Sequence, residues 1–91
     1  MSVGEYSARR TLKDSRLRIG VSRMLDYILT KQRAIALMKD CMGALYHTST
    51  LVKATHFYSG AWSFLFKDKY DDSVYVCNVN VNTMYYSVRE V

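Results

Sequence analysis

The spacing of apolar residues changes once along this chain. Through residue 47 they recur every three or four positions, the repeat of an α-helix, and from Leu51 onward they alternate, the repeat of a β-strand. At about 100° per residue, Ala8, Leu12, Ser15 and Ile19 fall on one helical stripe. Arg9, Lys13 and Arg16 fall within about 60° of one another on a neighbouring stripe, which makes an amphipathic helix with a basic face. Gly20 then reads as a C-cap or hinge and Ser22 as the N-cap of a second helix starting at Arg23, so two helices are expected. Were Gly20 instead absorbed into one continuous helix, Arg23 would join the basic stripe. The second helix carries the strongest pattern, with Val21, Met24, Ile28, Ile35, Met38 and Met42 along one broad arc and Asp26, Arg33 and Asp40 opposite. That arc predicts the core face. Lys31 interrupts it at a margin where the stem can be buried while the ammonium reaches water. Gly43, or the polar cluster His47, Thr48, Ser49 and Thr50, should end the helix.

Beyond that cluster Val, Tyr, Phe, Trp and Thr dominate, as they do in strands. Residues 51–58 read as a strand, Ser59-Gly60 as a tight hairpin, and residues 61–67 as the partner strand with Trp62, Phe64 and Phe66 on one face. After a polar loop at 68–73, residues 74–81 alternate cleanly. Tyr75, Cys77, Val79 and Val81 share one face, and Val74, Val76, Asn78 and Asn80 the other. Residues 84–90 read as a fourth strand after an Asn-rich turn, with a bulged extension of the third as the alternative. Two helices followed by three or four antiparallel strands predict a single two-layer α+β domain over residues 1–91, helical in 1–47 and sheet in 48–91, with the helices on one sheet face.

Composition narrows this picture. Ninety-one residues are too few for two cores, and a chain that is 49% hydrophobic and 23% charged is too apolar to stay disordered. The longest unbroken apolar run, residues 34–38, is far short of the ~18 needed to span a bilayer and of the ~7–15 of a secretion signal. A cytoplasmic protein with no membrane partner is expected. Cys41 and Cys77 sit in apolar stretches and are expected as reduced, buried thiols. Proline is absent, so the turns fall to Gly, Asn, Asp and Ser.

Charge is the main functional lead. Of the net +5, all lies in residues 1–40, which carry nine Lys or Arg against four Asp or Glu, whereas residues 41–91 carry four of each. Arg9, Arg10, Lys13, Arg16, Arg18 and Arg23 are the candidate nucleic-acid contacts, because six cations within fifteen residues can neutralise several phosphates and release their counterions. Five of the six are arginine, whose planar fork pairs with phosphate bidentately and stacks on bases, which favours RNA over DNA. The tyrosines are a weaker lead. Tyr70, Tyr75, Tyr85 and Tyr86, with Trp62 and His56, are candidate stacking rings, but aromatic residues in strands ordinarily pack on the core or across strands.

Known chemical motifs are missing. The four glycines are scattered and make no phosphate loop, and neither a nucleophile elbow nor a helical zinc motif occurs. Cys41, His47, His56 and Cys77 contain no pair at metal-ligand spacing, so no metal or cofactor is expected. RNA cleavage needs a base, an acid and cations, and His47, His56, Lys53, Tyr85 and Arg89 are the right types. The order of helices then sheet in a small basic chain resembles that of small bacterial ribonuclease toxins of the RelE kind, which implies a ribonuclease on element order alone.

The sequence therefore points to a small, basic, non-enzymatic nucleic-acid-binding protein, RNA preferred, of a regulatory or inhibitor and antitoxin-like kind compatible with a viral genome. One alternative is a protein-binding module that docks its basic helix on an acidic or RNA-bound partner; the ribonuclease is the other. Readout of duplex DNA fits less well, because the second helix is too apolar to lie in a groove and the first too charged to brace it. Residues 74–81 carry no charge and the final strand only Arg89 and Glu90, which leaves the sheet edges unprotected. A homodimer is expected, with Tyr85, Tyr86 and Val88 near its interface.

Overall fold

The computed structural model describes the backbone of residues 3–91 and the side chains of residues 22–91. A 40-residue helix, α1 (Val3–Met42), is followed by a short helix, α2 (Ala44–Thr48). Four strands complete the chain: β1 (Ser49–His56), β2 (Ala61–Asp68), β3 (Val74–Asn80) and β4 (Tyr85–Glu90). They form one antiparallel sheet in the order β1-β2-β3-β4, and α1 lies over β3 and β4 and reaches β2. The class is α+β, with one long helix where two were expected. Gly20 does not break it, since an interior glycine costs only about 1 kcal/mol relative to alanine and no proline removes a rung of the ladder. The break comes at Gly43, whose φ of 55° leaves the helical region.

Residues 84–90 give the separate fourth strand. Cross-strand pairs show how the alternating pattern becomes two faces. Trp62, Phe64 and Phe66 of β2 lie opposite Val79, Cys77 and Tyr75 of β3, and Val88 of β4 lies opposite Cys77. On β1, His56, Ala54, Leu51 and Ser49 join this inner face, because an extra residue between Leu51 and Lys53 bulges the strand and keeps the alternation in phase. The core is closed by Ala34, Leu37, Met38 and Met42 of α1 against Trp62, Phe64, Phe66, Cys77, Val79 and Val81.

The predicted arc holds at its C-terminal end, where Met38 and Met42 are buried and Ile35 packs on the core, but toward residue 24 the core face is rotated from it. Thr30, Ala34 and Leu37 are buried, whereas Met24 and Ile28 are exposed and Asp26, expected on the solvent side, is half-buried toward the sheet. Spacing cannot choose between two apolar faces of one helix; polar partners on the β1–β2 hairpin draw Asp26 inward and set the rotation.

Gly60 fixes the other end of that contact. Its N–H donates to Asp26 Oδ2 at 2.9 Å and its carbonyl accepts from Val81 N–H at 3.0 Å. With φ at 75°, and with Val81 Cγ2 and Asn82 Nδ2 each 2.8 Å from where a Cβ would stand, only glycine fits. Gly60→Ala should lower unfolding stability by about 2 kcal/mol or more, and Gly43→Ala, whose Cβ meets nothing, by about 1 kcal/mol; urea denaturation of both variants compares them.

Cys77 is fully buried beside Cys41. Burial first, and then the charge and hydrogen bond of Cys41, push its thiol from the ordinary 9.0 up to about 12. The folded state thus favours the neutral thiol. The stability this represents is complete below pH 9.0 and is lost as pH rises toward about 12. Urea midpoints from pH 8 to 11 should fall more steeply for the native chain than for Cys77→Ala, a difference that isolates the thiol's contribution.

Candidate functional site

Because α1 lies over β3 and β4, the β1–β2 half of the inner face stays open as a groove of about 760 Å3. Its floor is Trp62, Phe64 and Phe66 of β2, and β1 contributes Ser49, Leu51 and Ala54. Tyr27, Lys31, Ile35, Met38 and Lys39 of α1 make one wall, while Tyr46 and His47 of α2 close one end. Lys69, in the turn after β2, completes the rim; its N–H donates to the Thr48 carbonyl and its ammonium reaches the His47 carbonyl at 3.4 Å. Three lysines thus stand on the lining, and no Asp or Glu does.

Aromatic rings hold two of those cations in place. The Lys31 ammonium stands 5.4 Å from the Tyr27 ring centre and the Lys39 ammonium 5.4 Å from that of Tyr46. Tyr46 in turn packs edge-on against Phe66 at 6.3 Å. Ser49 also lines the groove, 6% exposed, with a hydroxyl that has no hydrogen-bond partner. The lining therefore offers apolar surface, aromatic edges and cations, which suits a flat or apolar group bearing negative charge.

At the other end of the groove a polar clip ties α1 to the β1–β2 hairpin. Asp26 Oδ2 lies 2.6 Å from His56 Nε2 and accepts the Gly60 N–H. Thr30 donates its hydroxyl to the Asp26 carbonyl and accepts Trp62 Nε1–H at 2.9 Å. Tyr27, His56 and Trp62 pack around this clip, their ring centres 4.9 to 5.5 Å apart. The five hydrogen-bonding groups, two from α1 and three from the β1–β2 hairpin, satisfy one another, so burial costs little.

The structure distributes the predicted site residues unevenly. Arg9, Arg10, Lys13, Arg16 and Arg18 lie outside the described side chains. Arg23 is exposed, and the continuity of α1 sets position 23 on the helical stripe of positions 9, 13 and 16. The acid–base types are not brought together: Lys53, Tyr85 and Arg89 stand on the outer sheet face, His56 on the inner one, and His47 in α2 at the far end of β1. Tyr85 and Tyr86 are exposed on opposite faces of β4, while Val88 packs on the core. Tyr70 is exposed in a loop and Tyr75 packs on the core, so the tyrosines share no single surface.

Sequence spacing missed Ser49 and Lys69 and read Lys31 only as an interruption. One signal was available, since Lys31, Ile35 and Lys39 recur at four-residue steps and must share a stripe. Among the described residues no group of three or more His, Cys, Asp or Glu could hold a metal ion, and no helix is long and apolar enough to cross a membrane.

His56→Ala should lower stability by about 1–2 kcal/mol and Asp26→Ala by about 2–3 kcal/mol, because the aspartate variant strands both the imidazole and the Gly60 N–H. The double variant should lose less than the two losses added, as urea denaturation in a double-mutant cycle would measure.

No family model, curated protein or solved structure matches this chain.

Proposed function

We propose that this protein is a non-enzymatic binder of single-stranded RNA that uses the groove between α1 and the β1–β2 hairpin. The observation that carries this reading is a cationic rim without a carboxylate around an apolar groove in which Tyr46 and Leu51 are accessible. Phosphates take the ammonium groups of Lys31 and Lys69, and the basic sequence of α1 extends the positive track beyond the groove. Bases enter the groove against Tyr46 and Leu51, where aromatic and apolar surface accepts any base. A groove of this size takes a splayed base and excludes a duplex.

Three features support this over the alternatives. An uninterrupted 40-residue helix contains no helix-turn-helix for a DNA major groove. The groups that RNA cleavage would need stand on different faces, and His56 is engaged by Asp26. Cys77 and Cys41 as free thiols fit a cytoplasmic setting.

Fluorescence anisotropy with labelled single-stranded RNA, single-stranded DNA and duplex, each at two salt concentrations, tests the reading. Single-stranded RNA should bind tightest and weaken steeply with salt, and the Lys31→Glu, Lys69→Glu double variant should weaken it about tenfold or more. The RNA should remain intact throughout. Absence of RNA binding, or binding indifferent to salt and to the double variant, overturns the proposal; cleavage lost in His56→Ala would replace it with the ribonuclease.

A further inference from the structure

The groove is bridged at both ends. α1 runs through Gly43 and α2 into β1, and the Lys69 N–H donates to the Thr48 carbonyl, so the chain itself closes one end. At the other, Asp26 holds His56 and the Gly60 N–H, and Tyr27 packs on His56 and Trp62. β1 is an edge strand and α1 lies over β3 and β4, so the way in is sideways across β1, where residues 50–54 are exposed. The volume of about 760 Å3 falls within the ~300–1,000 Å3 of pockets that enclose one compact ligand. A polynucleotide cannot thread such a site from end to end.

Charge along the groove is uneven. Lys39 stands over the Tyr46 ring and the Lys69 ammonium lies 3.4 Å from the His47 carbonyl, so two cations gather on consecutive residues of α2. Lys31 stands alone near the clip, over Tyr27. Among the described residues none of the three lysines makes a salt bridge. Asp68, beside Lys69 in the chain, is engaged in its own turn, where Oδ1 accepts the Tyr70 and Asp71 N–H groups at 2.7 and 3.1 Å. The α2 end therefore holds two of the groove's three ammonium groups and no acid to neutralise them.

We infer that the groove takes the end of an RNA chain, with a terminal phosphate monoester seated at α2 between Lys39 and Lys69. The inference rests on the reading of the groove as an RNA site and deepens it. A chain end enters sideways and stops, whereas an internal segment has to turn in and out through one opening. Charge favours the end as well. A phosphodiester carries a single negative charge, while a terminal monoester carries about −1.5 to −2 at neutral pH and offers three acceptor oxygens. Two ammonium groups without an acidic partner therefore distinguish the monoester from both a diester and a hydroxyl end. The terminal base lies against Tyr46 and Leu51, the next phosphate meets Lys31, and the chain leaves across β1.

One single-stranded RNA sequence, labelled internally and prepared with a 5′-monophosphate, with a 3′-monophosphate, with hydroxyls at both ends, and ligated into a circle, tests this by fluorescence anisotropy. A phosphorylated end should bind about tenfold tighter than the hydroxyl-ended and circular forms, and the two monophosphates tell which end is read. Lys39→Met with Lys69→Met keeps the apolar stems and should erase that preference. Lys31→Met should weaken all four RNAs by a similar factor and leave the preference in place. A circle bound as tightly as the phosphorylated chains overturns the inference while the RNA reading stands, and so does a preference that survives the double methionine variant. Failure of all four RNAs to bind overturns the RNA reading itself.

Discussion

One helix about 10–12 Å across cannot cover a sheet of four strands spaced about 4.8 Å apart, and a helix of 40 residues, about 60 Å long, outruns strands of six to eight residues. Both mismatches shape the molecule. The first leaves the β1–β2 half of the inner face open as a groove. The second means that α1 runs on past the ends of the strands, and since a sheet covers one side of a helix only, Met24, Leu25, Ile28 and Leu29 face solvent. A second helix packed beside the first would have closed the groove and shortened the overhang; continuity through Gly20 removes that possibility.

The contact between Asp26 and the β1–β2 hairpin decides how this helix sits. Two acceptor interactions at one carboxylate oxygen, with His56 and with the Gly60 N–H, and the Thr30 bridge to Trp62 fix the rotation of α1 about its own axis. Helical side chains near the clip are sorted by that rotation: Thr30 and Ala34 go inward, and Met24, Leu25, Ile28 and Leu29 go outward. The buried polar groups thus supply specificity more than stability, since an apolar helix offered more than one face to pack. Gly60 is where hairpin tip, helix and the turn after β3 converge, which is why no Cβ is tolerated there.

The groove's chemistry follows from which residues the sheet can leave uncovered. Trp62, Phe64 and Phe66 must face inward to make a core, and they lie almost fully buried beneath the groove, whose accessible apolar lining is Leu51 and Tyr46. Lysines tolerate the margin because their stems pack while their ammonium groups reach water, and here Tyr27 and Tyr46 give Lys31 and Lys39 a ring to lie against. A carboxylate at the same margin would lack such a partner. Ser49 is left with an unsatisfied hydroxyl because the strand alternation fixes its direction, whatever lies above it.

Much of the fold was legible in the residues. The change of period after residue 47 marks helix from sheet, the alternation in 61–67 and 74–81 assigns the inner face correctly, and Ser59-Gly60 marks the hairpin. These are local properties, set by side-chain periodicity and by backbone conformations that few residues adopt. Gly20 misled because propensity at one position is small against a cooperative ladder of hydrogen bonds. The site was less legible: Lys31 and Lys39 share a stripe in the sequence, but Lys69 and Ser49 join them only through the folding of β1 and β2 against α2. Periodicity and composition specify the change from helix to sheet, the inner sheet face and the concentration of positive charge in the first forty residues, but not the continuity of α1. Which side of α1 is core around residues 24–30 is fixed by the fold, because that choice rests on Asp26 meeting partners thirty and thirty-four residues away, a contact that no local period encodes.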